Sequence, residues 1–186
     1  ATVSAMEAAE VLDFGCDSSS EPLEILDLGC GSAVWTCAMG YRDPTARITA
    51  VDHESAIEAA SKTADSIGLS DRFRTIVADP SNVELESEHY DWVVIAQRIS
   101  GLGKDEANRL LGNATKSLKI GGRLVVIDWV EMDGKPTLAD RMASLRLLLE
   151  TRCGAVRSPA ELQVELRAVG LEECQFALLS KGKAKI

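Results

Sequence analysis

Apolar and polar positions follow two periods along this chain, and the switches between them mark out its elements. Residues 4–14 set Met6, Ala9, Val11 and Leu12 at helical spacing among glutamates, which predicts an amphipathic helix. Residues 15–22 are polar and end on Pro22, the composition of a linker. From residue 24 onward, short apolar runs take turns with longer helical patterns. Strands are expected at 24–28, 47–52, 72–78, 91–96 and 123–130, with a last strand or hairpin at 171–180. Helices are expected at 32–40, at 54–67 with a stop at Gly68, and at 104–118 with a stop at Gly121 and Gly122. Two more amphipathic helices are expected at 138–150 and 159–169. The run 91–96 is almost wholly apolar, as in a strand covered on both faces. Strands alternating with helices imply right-handed crossovers and a mainly parallel sheet. The expected fold is α/β and doubly wound.

Composition narrows the setting. With 186 residues and 46% apolar positions, the chain can bury one sizeable core. Only 4% is aromatic, so that core must be built from Leu, Ile, Val and Ala. No apolar run approaches the ~18–20 residues that cross a bilayer, and the first residues lack a basic and apolar leader. A cytoplasmic protein without membrane contact is expected. Lys and Arg total 20 against 29 Asp and Glu, a net charge of −9. Such a surface repels phosphate backbones, so nucleic acid is not an expected partner. Lys181, Lys183 and Lys185 read as a solvated terminus. The cysteines (Cys16, Cys30, Cys37, Cys153, Cys174) are odd in number and form no C-x-x-C. With only His53 and His89 beside them, neither a disulfide framework nor a metal site is expected.

Candidate chemistry gathers at the first strand-to-helix turn. Leu26-Asp27-Leu28-Gly29-Cys30-Gly31-Ser32-Ala33 has two glycines that permit a tight turn and a bare backbone surface. Asp52 ends the second strand 23 residues beyond Gly29, about the ~20-residue spacing at which an acid accepts from ribose hydroxyls. A plain turn with a solvated aspartate is the simpler alternative. A dinucleotide fingerprint would need Gly or Ala at position 34, where this chain has Val34. Asp27, just before the turn, repels a pyrophosphate and attracts an amino-bearing or cationic ligand. These features point to a sulfonium nucleoside carrying an amino acid, not to NAD.

Asp27-Leu28-Gly29-Cys30-Gly31-Ser32 resembles the first motif of class I S-adenosylmethionine-dependent methyltransferases. Asp52 resembles their ribose-binding acid, and Asp79 in Ala78-Asp79-Pro80 the acid that faces the adenine amino group. Residues 91–96 and 118–124 resemble the fourth and fifth motifs. Gly68-Leu69-Ser70-Asp71-Arg72-Phe73 looks like a segment of the small-molecule O-methyltransferases of plants and bacterial antibiotic pathways. Residues 150–170 resemble the region before that family's last strands. The resemblance implies a Rossmann-like, seven-stranded sheet over residues 21–186, preceded by a helix and linker at 1–20. It implies S-adenosyl-L-methionine as cofactor, held by Asp27, Gly29, Cys30, Gly31, Asp52, His53, Asp79, Pro80, Ala96 and Gln97. It also implies a small-molecule acceptor. That family's N-terminal dimerisation domain has no counterpart here, so an excised catalytic domain is expected.

Three departures bear on mechanism. The third glycine of the first motif is Ala33. The family's general-base histidine falls at Ser100, and the two carboxylates that orient it fall at Asp128 and Val156. A hydroxyl cannot take a phenolic proton as an imidazole can. The tryptophan that packs on adenine is replaced by Leu102, which still offers an apolar lid. Ser100 and Asp128 are therefore expected on the acceptor side, with transfer driven by proximity. A non-catalytic nucleoside-binding homologue and an NAD-type enzyme are the competing readings. His89 and Cys153 read as a solvated imidazole and an inert thiol. Trp129 and Met132 follow the fifth strand, where acceptor pockets form, or simply pack a helix.

Overall fold

The computed structural model describes residues 2–14, 21–131, 137–177, 179 and 184–185. The first helix, α1 (Thr2–Val11), buries Ala5, Ala8 and Ala9. Then come β1 (Glu24–Leu28), α2 (Val34–Arg42), β2 (Arg47–Asp52), α3 (Glu54–Ser66) and β3 (Phe73–Val77). The second half holds β4 (Tyr90–Ala96), α4 (Lys104–Ser117), β5 (Leu118–Trp129), α5 (Leu138–Glu150), α6 (Pro159–Ala168) and β6 (Ala184–Lys185). The sheet order is β3-β2-β1-β4-β5-β6. β1 to β5 are mutually parallel, and β6 pairs antiparallel to β5 through Asp128 and Trp129. The order reverses between β1 and β4, and the crevice of such a sheet opens there, beyond the carboxyl ends of the strands.

Strand parity divides the core in two. Ile25, Ile48, Ala50, Trp92, Val94 and Ile127 pack toward α1, α2 and α3 with Phe14, Met39 and Ile57. Leu26, Leu28, Val51, Val93 and Ile95 pack the other way, against Leu110, Leu111 and Ala114 of α4 and Leu162 of α6. Each fully buried Leu or Ile stabilises the fold by ~1.5–3 kcal/mol, so two covered faces hold the central strands firmly. Asp27 shares its face with Ile25 and so points at α2. Arg72 ties this frame together by donating to the carbonyls of Gly40, Asp43 and Ala46. The Gly-Leu-Ser-Asp-Arg segment thereby fastens the end of α2 to the start of β3.

Several expectations need correction. Among the described residues the sheet shows six of the seven expected strands, and residues 171–177 form neither strand nor hairpin. Glu172, Glu173 and Gln175 interrupt any apolar alternation there, and all three are exposed. Residues 178 and 180 of that expected strand lie outside the described residues, as do Met132, the linker at 15–20, Lys181 and Lys183. The glycine pair does not end α4, which stops at Ser117. Instead residues 119–122 of β5 loop out against Asp91 alone, where the register with β4 shifts. A Cβ on Gly122 would stand 2.9 Å from the Lys119 carbonyl and 3.1 Å from that of Asp91, so the irregularity requires glycine. α5 was expected to bury one face, yet none of its described side chains is buried, and Leu138, Met142, Leu145, Leu148 and Leu149 are exposed. No helix among the described residues is long and apolar enough to cross a membrane.

Candidate active site

The turn after β1 is held open by its backbone. Gly29 and Gly31 have φ of 76° and 53°, and Ala33 follows at 52° in the same left-handed region. Alanine at that position bears a steric cost that glycine would not, and Ala33 is fully buried as it enters α2. Gly29 and Cys30 both donate to the Val51 carbonyl, so the turn is stitched to β2.

Asp52 completes that stitching. It is not the solvated aspartate of a plain turn but is buried, with 4% of its surface accessible. Its Oδ2 accepts from Gly31 N at 2.9 Å and its Oδ1 from His53 N at 2.8 Å. Each oxygen keeps a lone pair free for a further donor. The His53 side chain itself is exposed.

Asp27 lies at the foot of the turn, 1% exposed. Thr36 Oγ1 of α2 donates to its Oδ2 at 2.5 Å, while Oδ1 is buried without a hydrogen-bond partner. Burial pushes the carboxyl up to about 7, the Thr36 hydrogen bond offsets part of this, and the nearby Asp52 charge adds to it. Burial likewise raises the thiols of Cys30 and Cys37, that of Cys37 to about 12, so both stay protonated at neutral pH.

Asp79 follows β3 and sits nearer solvent. Slight burial raises its carboxyl, but Ser81 N, Asn82 and the charges of His53 and Arg98 outweigh that and hold it below the usual range. Pro80 is buried behind it. After β4, Gln97 adopts φ of 53° and donates its N–H to the Ile127 carbonyl at 2.6 Å, while Ala96 packs against the core. That bend aims the next residue back over the turn. A Cβ on Gly29 would stand 3.2 Å from Arg98 Cγ and Cδ.

Ser100 and Asp128 meet, though inside the fold: they are 4% and 2% exposed. Ser100 Oγ donates to Asp128 Oδ1 at 2.6 Å and Ser100 N to Oδ2 at 2.8 Å, with Trp129 N also on Oδ1. Burial raises the Asp128 carboxyl against these hydrogen bonds and the Arg157 charge. Val156 is not part of this pair. It lines a cavity of about 390 Å³ with Trp129, Glu131, Arg141, Leu145 and Leu148. A larger cavity of about 910 Å³ runs along the flank of β5 past Trp92, Arg123, Leu162 and Phe176, and reaches none of the turn residues. It follows β5 from Gly121 to Val130, takes in Asp128, and lies apart from the crevice of the turn.

Three residues here had no part in the sequence expectations. Thr36 partners Asp27, a contact written into the chain only as a hydroxyl on the buried face of α2. Arg98 overlies Gly29 from a strand end far away in sequence. Arg157, 9% exposed, donates to the carbonyls of Ile99 and Leu102 at 2.6 and 3.2 Å and to Glu165 at 3.0 Å. It thus brackets Ser100 from both sides. A lone arginine before a Ser-Pro helix start was the available signal.

The family described as methyltransferase domain matches residues 25–122. No curated protein matches the chain by sequence. Among solved structures, mitomycin 7-O-methyltransferase is similar with a TM-score of 0.86 and 24% identity, over 99% of this chain and 52% of that one. An O-methyltransferase family 2 protein from Planctomyces limnophilus, in complex with apigenin, has a TM-score of 0.80 and 19% identity, over 100% and 60%. Human N-acetylserotonin methyltransferase, in complex with SAM, has a TM-score of 0.77 and 19% identity, over 99% and 49%. The chain therefore spans about half the length of these structures, and at such identities the likeness is one of fold.

Proposed function

The chain belongs to the methyltransferase domain family, and on that premise we propose that it transfers a methyl group from S-adenosyl-L-methionine to a small-molecule acceptor. The observation that carries this reading is the buried, unpartnered Asp27 Oδ1 at the foot of a glycine turn. An orphaned carboxyl oxygen of this kind costs stability until a donor reaches it. A ligand bearing an ammonium and a sulfonium supplies the cationic field that a pyrophosphate would not. When bound, the cofactor supplies a methyl group already activated on sulfur.

The chain's own residues then have separable tasks. Gly29, Cys30 and Gly31 present bare backbone to the ligand. Asp52, fixed by Gly31 N and His53 N, offers its remaining lone pairs to ribose hydroxyls. Asp79, kept ionised, accepts from an adenine amino group beside Pro80, while Ala96 and Gln97 close the opposite wall. The Ser100 hydroxyl donates its hydrogen bond to Asp128, so neither group stands ready as a free base near the surface. Alignment of acceptor and methyl then provides the rate, and proximity alone supplies on the order of several kcal/mol. A general base would add ~10²–10⁴-fold. Acceptors that are already ionised or strongly nucleophilic fit this arrangement best.

Calorimetry with S-adenosylhomocysteine and NAD tests the premise without an acceptor in hand. S-adenosylhomocysteine binds and NAD does not, in part because Val34, half-buried against the core, stands where a dinucleotide turn needs a small residue. Tighter binding of NAD overturns the reading.

A further inference from the structure

Glycine at position 29 leaves a space above the backbone, and in this structure the protein fills it with its own side chain. Arg98 Cγ and Cδ lie 3.2 Å, and Nε 3.3 Å, from where a Gly29 Cβ would stand. Nε is buried there with no hydrogen-bond partner. A buried guanidinium N–H without an acceptor is an unmet demand for an anionic oxygen. The acids at these strand ends are Asp27 before the turn, Asp52 on Gly31 N and Asp79 after β3. Those acids suit the ammonium, hydroxyl and amino groups of an aminoacyl nucleoside, and none of them suits its carboxylate. We propose that Arg98 is the residue that selects the carboxylate of the cofactor's amino-acid tail, drawing that tail across the Gly29–Gly31 backbone.

The proposal rests on the cofactor reading above and adds what that reading lacks, a cationic partner for the ligand's one anionic group. Arg98 comes from the segment after β4, whose left-handed residue Gln97 turns the chain back toward β1. Asp79, held below the usual carboxylate range chiefly by Ser81 N and Asn82, also feels the Arg98 charge. Ligand binding gives Arg98 Nε the charge-assisted contact to a carboxylate that it lacks in this structure.

The test compares two ligands that differ only in that carboxylate: S-adenosylhomocysteine and its decarboxylated amine. Calorimetry is run on the wild-type chain, on Arg98→Met, which keeps the aliphatic stem, and on Arg98→Lys, which keeps the charge. The wild type prefers the carboxylate ligand by roughly 10- to 100-fold, the range of one charge-assisted hydrogen bond. Arg98→Met reduces that preference to about twofold or less, and Arg98→Lys retains most of it by keeping the charge. The ratio of two affinities within one variant does not depend on the fraction of folded protein. An unchanged preference in Arg98→Met overturns the proposal, as does a wild type that ignores the carboxylate. Equal tightening of both ligands in Arg98→Met also overturns it and makes Arg98 a mere filler of the cradle. Failure of the wild type to bind either adenosyl ligand is a separate result, which overturns the cofactor reading and this inference with it.

Discussion

The Asp52 carboxylate accepts the Gly31 backbone N–H at 2.9 Å, so the acid at the end of β2 holds the glycine turn of β1 in its open form. One buried group thereby shapes the turn, and on the proposed cofactor reading it also binds the ligand. Two consequences follow for its replacement. Asp52→Ala weakens S-adenosylhomocysteine binding by roughly 10- to 100-fold and also lowers the melting temperature, since charge-assisted hydrogen bonds contribute ~1.5–3 kcal/mol each. Asp52→Asn keeps one acceptor oxygen and loses less stability than affinity. Calorimetry and thermal melts of both variants separate the two effects. Equal losses in both variants would make the residue purely structural.

Asp27 gives the site a pH dependence of known sign. Its folded carboxyl lies near 7 against an ordinary 3.8, raised mainly by burial. Between about 4 and 7 the folded state therefore holds a proton that the unfolded state has lost, and stability falls as pH rises through that window. Binding of an ammonium-bearing ligand favours the ionised form, so affinity for S-adenosylhomocysteine rises from pH 6 to 8. Asp27→Asn flattens both profiles and raises stability at neutral pH by on the order of a few kcal/mol. Denaturation and calorimetry at a series of pH values check this. A profile unchanged by the substitution would assign the titration elsewhere.

The buried Ser100–Asp128 pair predicts weak turnover of un-ionised phenols. Ser100→His sets a group of pKa ~6.5 against Asp128, with room gained only by displacing neighbours. The Ser100 carbonyl already accepts Ala155 N at 2.8 Å, so the new side chain must leave that contact intact. Any gain in phenol methylation is partial, because Asp128 is the carboxylate placed beside position 100 and Val156 lines a separate cavity. Single-turnover assays at saturating cofactor and several pH values measure it. Efficient wild-type turnover of un-ionised phenols would place the base on another residue.

Arg157 is a positioning residue for the Ser100 segment. Arg157→Met leaves Glu165 buried and unpaired and frees the carbonyls of Ile99 and Leu102. Removing one partner of a buried pair costs ~3–5 kcal/mol, whereas replacing both by apolar groups is often neutral. The single variant melts earlier, and Arg157→Met with Glu165→Leu recovers most of the loss in urea denaturation. Failure of the double variant to recover would show that the two carbonyls, not Glu165, carry the penalty.

A further steric test lies next to it. A Cβ on Gly154 would collide with Thr151 Oγ1 and stand 2.8 Å from the Ser100 carbonyl. Gly154→Ala therefore destabilises the chain by ~1–3 kcal/mol, the usual cost of overpacking. Thermal melts read this directly, and an unchanged melting temperature would show that the 151–154 turn relaxes at no cost.

The chain's own pattern determined the parallel strands, because an apolar run covered on both faces and a following amphipathic helix are local facts of sequence. Thus β1, β2 and β4 fall within a residue of where their apolar runs lie. The glycine turn and the spacing to Asp52 were legible for the same reason. What the sequence did not hold was mutual placement. That Asp52 is buried and braces Gly31, that Thr36 leaves one oxygen of Asp27 unpartnered, and that Arg98 lies on Gly29 all depend on parallel crossovers bringing distant strand ends together. The glycine pair at 121–122 shows the converse limit. A local stop signal for α4 was read there, yet the pairing of β5 with β4 claimed those residues, since two ladders with unequal lengths must place their extra residues somewhere. The unpacked leucines of α5 mark the same boundary, because periodicity creates an apolar face and only tertiary contacts decide what covers it.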